Sequence, residues 1–178
     1  LRARILKALP YALTHSQQRA VDDIITDLAR PQRMLRLLQG DVGSGKTVVA
    51  LTAAAAVIEA GRQAAFMAPT EILARQHLST IAPLAEAAGL RVAILTGRER
   101  GAARKEILDR LVLGDIDLLI GTHALFQEDV AFHDLALAVV DEQHRFGVHQ
   151  RLALTHKGDA VDVLVLTATP IPRTLVLT

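Results

Sequence analysis

The chain has 178 residues, 51% of them hydrophobic, and a formal net charge of +1. Such a length suits one domain able to bury about 70% of its unfolded surface, and such an apolar fraction excludes intrinsic disorder. There is no cysteine, which excludes a disulfide scaffold, a thiolate nucleophile and a cysteine-held zinc or iron–sulfur centre. The longest apolar stretch, Val48 to Ile58 with Thr52 inside it, suits a buried helix and is too short to span a bilayer. Arg2, Arg4 and Lys7 punctuate the amino terminus, unlike a signal peptide. The expectation is a soluble, cytoplasmic domain without a membrane partner. The first residue is not Met and the sequence stops just after a dense motif, so a piece of a longer protein is expected.

In chain order, Leu1 to Leu9 reads as a short helix ended by Pro10. Thr14 precedes a segment with Val21, Ile24, Ile25 and Leu28 at helical spacing, closed by Pro31. Gln17 follows Thr14 by three residues, as in a capping box. Six strands are then predicted, at Met34–Gln39, Gln63–Ala68, Arg91–Leu95, Asp117–Ile120, Leu137–Val140 and Val161–Leu166. They are continuous apolar runs, as strands covered on both faces of a parallel sheet are. Helices are predicted between them over Lys46–Ala60, Thr70–Ala88 and Gly101–Leu113, ended by Gly61, Gly89 and Gly114. Repeated strand–helix–strand units predict an α/β three-layer sandwich around a mostly parallel sheet. Six basic residues against three acids between Arg91 and Arg110 fit a solvated helix face as readily as a binding surface.

The strongest motif is Gly40-Asp41-Val42-Gly43-Ser44-Gly45-Lys46-Thr47, which reads G-x-x-x-x-G-K-T between a predicted strand and a predicted helix. Glycines allow the backbone to curl its N–H groups around phosphate oxygens, and the helix start adds partial positive charge. Lys46 is placed to reach the β- and γ-phosphates and the Thr47 hydroxyl to ligate Mg²⁺. The motif therefore predicts a nucleoside triphosphate with Mg²⁺, and by itself it leaves a kinase, a GTPase and a motor open. Asp141-Glu142-Gln143-His144 follows the predicted strand Leu137–Val140, at the sheet edge where open α/β folds bind ligands. There Asp141 is suited to hold the metal and Glu142 to orient and deprotonate the attacking water. The histidines show no HxxxH or HExxH spacing, so no zinc site is expected.

The string at 141–144 resembles motif II of superfamily 2 helicases and translocases. With GDVGSGKTVVA at 40–50, APTEILARQH at 68–77, GTHAL at 121–125, DEQHRFGV at 141–148 and TATPIPRTL at 167–175, the chain resembles the RecG family of bacterial ATP-dependent DNA helicases from Leu9 to its end. Transcription-repair coupling translocases are similar but usually carry Phe at the position of Ser44 and Glu at those of Val48 and Gln143.

The resemblance implies a first RecA-like, P-loop NTPase motor domain of a protein acting on double-stranded and branched DNA. It implies that Tyr11 stacks on adenine and Gln17 pairs with the base edge, although Gln17 is equally suited to cap its helix. It implies DNA contacts from Thr70, Arg75 and Gln76, from Thr96, Gly97 and Arg98, and from Gly121, Thr122 and His123; Thr70 is also a good N-cap without any DNA. Gln143, His144, Thr167 and Thr169 would couple the γ-phosphate site to the DNA face, with His144 in the catalytic set beside Lys46, Asp141 and Glu142. A second RecA-like lobe bearing an arginine finger and an amino-terminal wedge domain would be partners within a longer chain. Without that finger, hydrolysis by this segment alone is expected to be slower by roughly a thousandfold or more. Two readings of other classes stay open, a small-molecule or nucleoside kinase and a non-catalytic nucleic-acid-binding module.

Overall fold

The computed structural model describes residues 1–41, 45–141, 157–158 and 160–168. Val42, Gly43, Ser44, Glu142, Gln143, His144 and Thr169 lie outside the described residues. Two helices lead in, α1 (Arg2–Ala8) and α2 (His15–Leu28), followed by β1 (Leu35–Gln39), α3 (Lys46–Glu59), β2 (Gln63–Met67), α4 (Glu71–Ala88) and β3 (Val92–Leu95). Then come α5 (Gly101–Leu113), β4 (Leu118–Gly121), a 3₁₀ turn (His123–Phe126), β5 (Leu135–Asp141) and β6 (Asp162–Thr167). Each predicted strand and helix is present to within two residues at its ends.

The strands form one sheet in the order β1-β6-β5-β2-β4-β3, and every pairing is parallel. The carboxyl ends of all six therefore face one edge. Side chains alternate across the sheet: Ala64 and Phe66 of β2 join one core, while Ala65 and Met67 join the other. The first core lies under α1 to α4, and the second lies under α5 and the 3₁₀ turn. This is the expected three-layer sandwich. Fully buried Phe66, Ile81, Leu118 and Ile120 anchor it, each side chain contributing about 1.5–3 kcal/mol relative to exposure.

Burial on both faces holds for the central strands β2, β4 and β5 and fails at the rim. β1 is an edge strand with Leu35 and Leu37 half-exposed, so its apolar run overstates its cover. Met34, predicted within β1, precedes it; its N–H donates to Asp162 Oδ1 at 2.6 Å. Helix α3 is apolar all round and correspondingly buried on nearly every face. Gly61, Gly89 and Gly114 follow their helices at φ near +80° (82°, 77° and 81°), as predicted.

One buried side chain that sequence reading passed over closes the opposite edge. Gln63 is 4% exposed; its amide donates to the carbonyls of Leu111 and Ile116 at 3.0 and 2.8 Å. Its Oε1 accepts the Asp134 N–H at 2.9 Å, so α5, the start of β4 and the start of β5 are pinned to one residue. Among the described residues no helix is long and apolar enough to cross a membrane.

Candidate nucleotide-binding site

β1 delivers Gly40 to the carboxyl edge, where its N–H donates to the Thr167 carbonyl at 3.1 Å. The loop thus starts clamped to the end of β6. It re-enters helix at Gly45, the N-cap of α3, with φ 82° and ψ 23°. That left-handed conformation strains any residue with a side chain, and a Cβ there would collide with the Gln17 amide nitrogen. The backbone conformation is what favours glycine there, since the end of the flexible Gln17 side chain could swing aside from a Cβ. The Lys46 ammonium bends back over the loop, donating to the carbonyls of Gly40 and Asp41, the latter at 3.1 Å. A cation and a helix N-terminus at one turn make an anion-binding arrangement.

Beside it lies a cavity of about 290 Å³ lined by residues including Thr14, Gln17, Leu38, Gly40, Lys46 and Val49. The capping box is present: Gln17 N–H donates to Thr14 Oγ1 at 3.2 Å, and Thr14 N–H donates to Gln17 Oε1 at 2.9 Å. One Gln17 carboxamide thus caps α2 with its oxygen while its nitrogen lies against Gly45. Tyr11 is 52% exposed and is not among the residues lining the cavity.

Asp141 ends β5 at the same edge. Its Oδ2 lies 2.5 Å from Nε2 of His77 on α4, and Nδ1 of the same imidazole lies 3.5 Å from Thr47 Oγ1. The two expected metal ligands therefore converge on one ring. Hydroxyl and carboxylate oxygens are the hard donors that Mg²⁺ selects, with water completing its octahedron, so this pair fits the ion. Sequence reading missed His77, which lies in APTEILARQH and joins the two expected ligands. The spacing carried no signal, since its partners stand 30 and 64 residues away.

A second cluster occupies the β2–β4–β3 end of the edge. Thr70 caps α4, accepting from Leu73 N–H at 3.2 Å. Arg75 donates to Glu99 Oε1 at 2.8 Å and reaches Glu71 at 3.5 Å, while Arg98 pairs with Glu71. Thr96, expected to offer its hydroxyl to DNA, is instead 1% exposed and spends both hydroxyl and N–H on Glu99 Oε2, each at 2.7 Å. Gln76, Gly97, Arg98 and His123 are exposed, and Thr122 caps the 3₁₀ turn through the Ala124 N–H. Gly121 is buried, and a Cβ there would strike the Leu95 carbonyl and the Leu125 side chain; close packing of β4 on β3 demands it.

Burial alone would raise the Glu99 carboxyl, but hydrogen bonds from the Thr96 hydroxyl, the Arg75 guanidinium and the Thr96 N–H outweigh it and hold the group at about 2, against 4.5 unperturbed. A depressed carboxylate stabilises the fold above the unfolded value, and that stability is lost as pH falls toward the folded value. Wild type is therefore expected to exceed Glu99→Gln in unfolding midpoint at pH 6, with the gap closing between about pH 4.5 and 2. Thermal melts across that range check it; a gap independent of pH contradicts it.

A parallel three-layer sheet, a phosphate-type turn opening α3 and an acid closing β5 define a RecA-like P-loop domain. The family model of DEAD/DEAH box helicases matches residues 14–177, and the chain belongs to that family. Over 98% of its length it is 54% identical to the ATP-dependent DNA helicase RecG of Bacillus subtilis, and over its full length 51% identical to that of Pasteurella multocida. It spans 26% of the length of each. Among solved structures, a RecG bound to a three-way DNA junction superposes with a TM-score of 0.83 at 47% identity, covering 98% of this chain and 23% of that one. The DEAD-box helicase Mss116 superposes at 0.78 with 18% identity, covering 99% and 40% respectively, a likeness of fold.

Proposed function

We propose that this chain is the first RecA-like motor lobe of a longer ATP-dependent DNA helicase that remodels branched DNA such as stalled forks and recombination junctions. The convergence of Thr47 and Asp141 beside the Lys46 turn carries the reading, and likeness to RecG across nearly the whole chain supports its substrate class. In this reading residues 40–47 wrap the triphosphate, with Lys46 exchanging its carbonyl partners for phosphate oxygens. Thr47 and Asp141 would hold Mg²⁺, which supplies charge neutralisation between the phosphates. Glu142 orients the attacking water and takes its proton. Tyr11 and Gln17 serve adenine, with Gln17 giving up its cap to present both amide atoms.

The DNA surface comprises Thr70, Arg75, Gln76, Gly97, Arg98, Thr122 and His123, braced from within by Thr96, Glu99 and the buried Gly121. Gln143, His144, Thr167 and Thr169 relay the phosphate state to it, and a second lobe and a wedge domain complete the machine.

The test is ATP hydrolysis by the longer chain with and without three-way-junction DNA. Stimulation by the junction well above that by linear duplex is expected. Phosphorylation of a small acceptor, indifferent to DNA, would assign a kinase, and hydrolysis-free DNA binding would assign a non-catalytic module. Stimulation that requires RNA polymerase would assign the transcription-repair coupling branch.

A further inference from the structure

We infer that His77 is a positioning residue for the Mg²⁺ ligands, a strut from α4 that sets the oxygens of Thr47 and Asp141; the inference rests on the nucleotide-site reading above. A carboxylate only accepts hydrogen bonds, so the 2.5 Å contact to Asp141 Oδ2 places the ring proton on Nε2. In the neutral ring Nδ1 is then the acceptor, and the Thr47 hydroxyl 3.5 Å away is within reach to donate to it. With its proton given to the ring, Thr47 Oγ1 keeps lone pairs free for a cation, as does the second oxygen of Asp141.

The strut is itself held. The Phe66 ring lies 4.6 Å from the imidazole centroid, tilted by 47°, and the His77 side chain is only 14% exposed. Phe66 belongs to β2, the neighbour of β5, so the imidazole is wedged between the sheet and α4. Outer partners of this kind fix ligand orientation, and removing one typically costs ten- to a hundredfold in metal affinity. His77 also stands two residues from Arg75, so one helix carries both the metal strut and a member of the second cluster.

The experiment is the affinity of the longer chain for a fluorescent ADP, measured in Mg²⁺ and again in EDTA. The ratio of the two is the metal-dependent gain. In His77→Phe, which keeps the packing on Phe66 and loses both hydrogen bonds, that gain is expected to fall by about tenfold or more, with affinity in EDTA unchanged. His77→Gln, whose amide nitrogen reaches the position of Nε2, is expected to restore most of it. His77→Asn, which reaches only the position of Nδ1, is expected to behave like Phe.

An undiminished gain in His77→Phe overturns the inference. So does failure of Gln to rescue, which would make the role one of shape, and so does an equal loss in EDTA. Lys46→Ala in the same assay separates the two layers: it should lower affinity with and without metal, and if it does not, the nucleotide-site reading falls and takes the strut with it.

Discussion

Replacing Glu142 with Gln in the longer chain is expected to lower ATP turnover by about two to four orders of magnitude, the range a positioned general base supplies, while nucleotide affinity stays within a few-fold. Asp141 is fixed at the end of β5 by its register with Leu166 and by His77, and Glu142 is the next residue along the chain. A glutamine there keeps shape and hydrogen-bonding capacity yet cannot take a proton from water. The expected signature is tight ATP binding without release of phosphate, read by single-turnover hydrolysis beside an equilibrium binding titration. Turnover equal to wild type would move the base elsewhere. A parallel loss of affinity would give Glu142 a binding role in place of a chemical one.

The two clusters at the carboxyl edge meet through α4. One end of the helix carries Thr70 and Arg75 in the Glu71–Glu99 network. Half a turn beyond Arg75, His77 reaches the metal ligands.

The sheet was legible because its central strands are buried on both faces, and such strands read as apolar runs. Gly45 was legible because the left-handed backbone at the start of α3 favours glycine. Strand order was not legible: Arg36 within Leu35–Gln39 is an edge-type residue, but only the structure, with Leu35 and Leu37 half-exposed, places the strand at the rim. The long-range polar contacts were equally hidden. His77 sits among ordinary helix residues, its meaning supplied by Asp141 64 positions later. Glu99 reads as one acid in a basic stretch until folding lays Thr96 and Arg75 against it. At Gln17 two readings competed, and the carboxamide proves large enough to cap α2 with one atom and touch the phosphate turn with the other. Thr96 shows the reverse case, a hydroxyl placed by motif at a surface and by folding in the interior.

In the proposed reading the turn ending in Lys46 and Thr47 cradles phosphate. Among its described residues, Lys46 bends back onto the Gly40 and Asp41 carbonyls. Truncating it to Ala removes charge-assisted hydrogen bonds worth about 3 kcal/mol together. The direct measurement is calorimetric or fluorescence titration of ATP into wild type and Lys46→Ala, with matched unfolding midpoints to exclude damage to α3. The account predicts a loss of affinity on the order of a hundredfold. Affinity within threefold of wild type would contradict it.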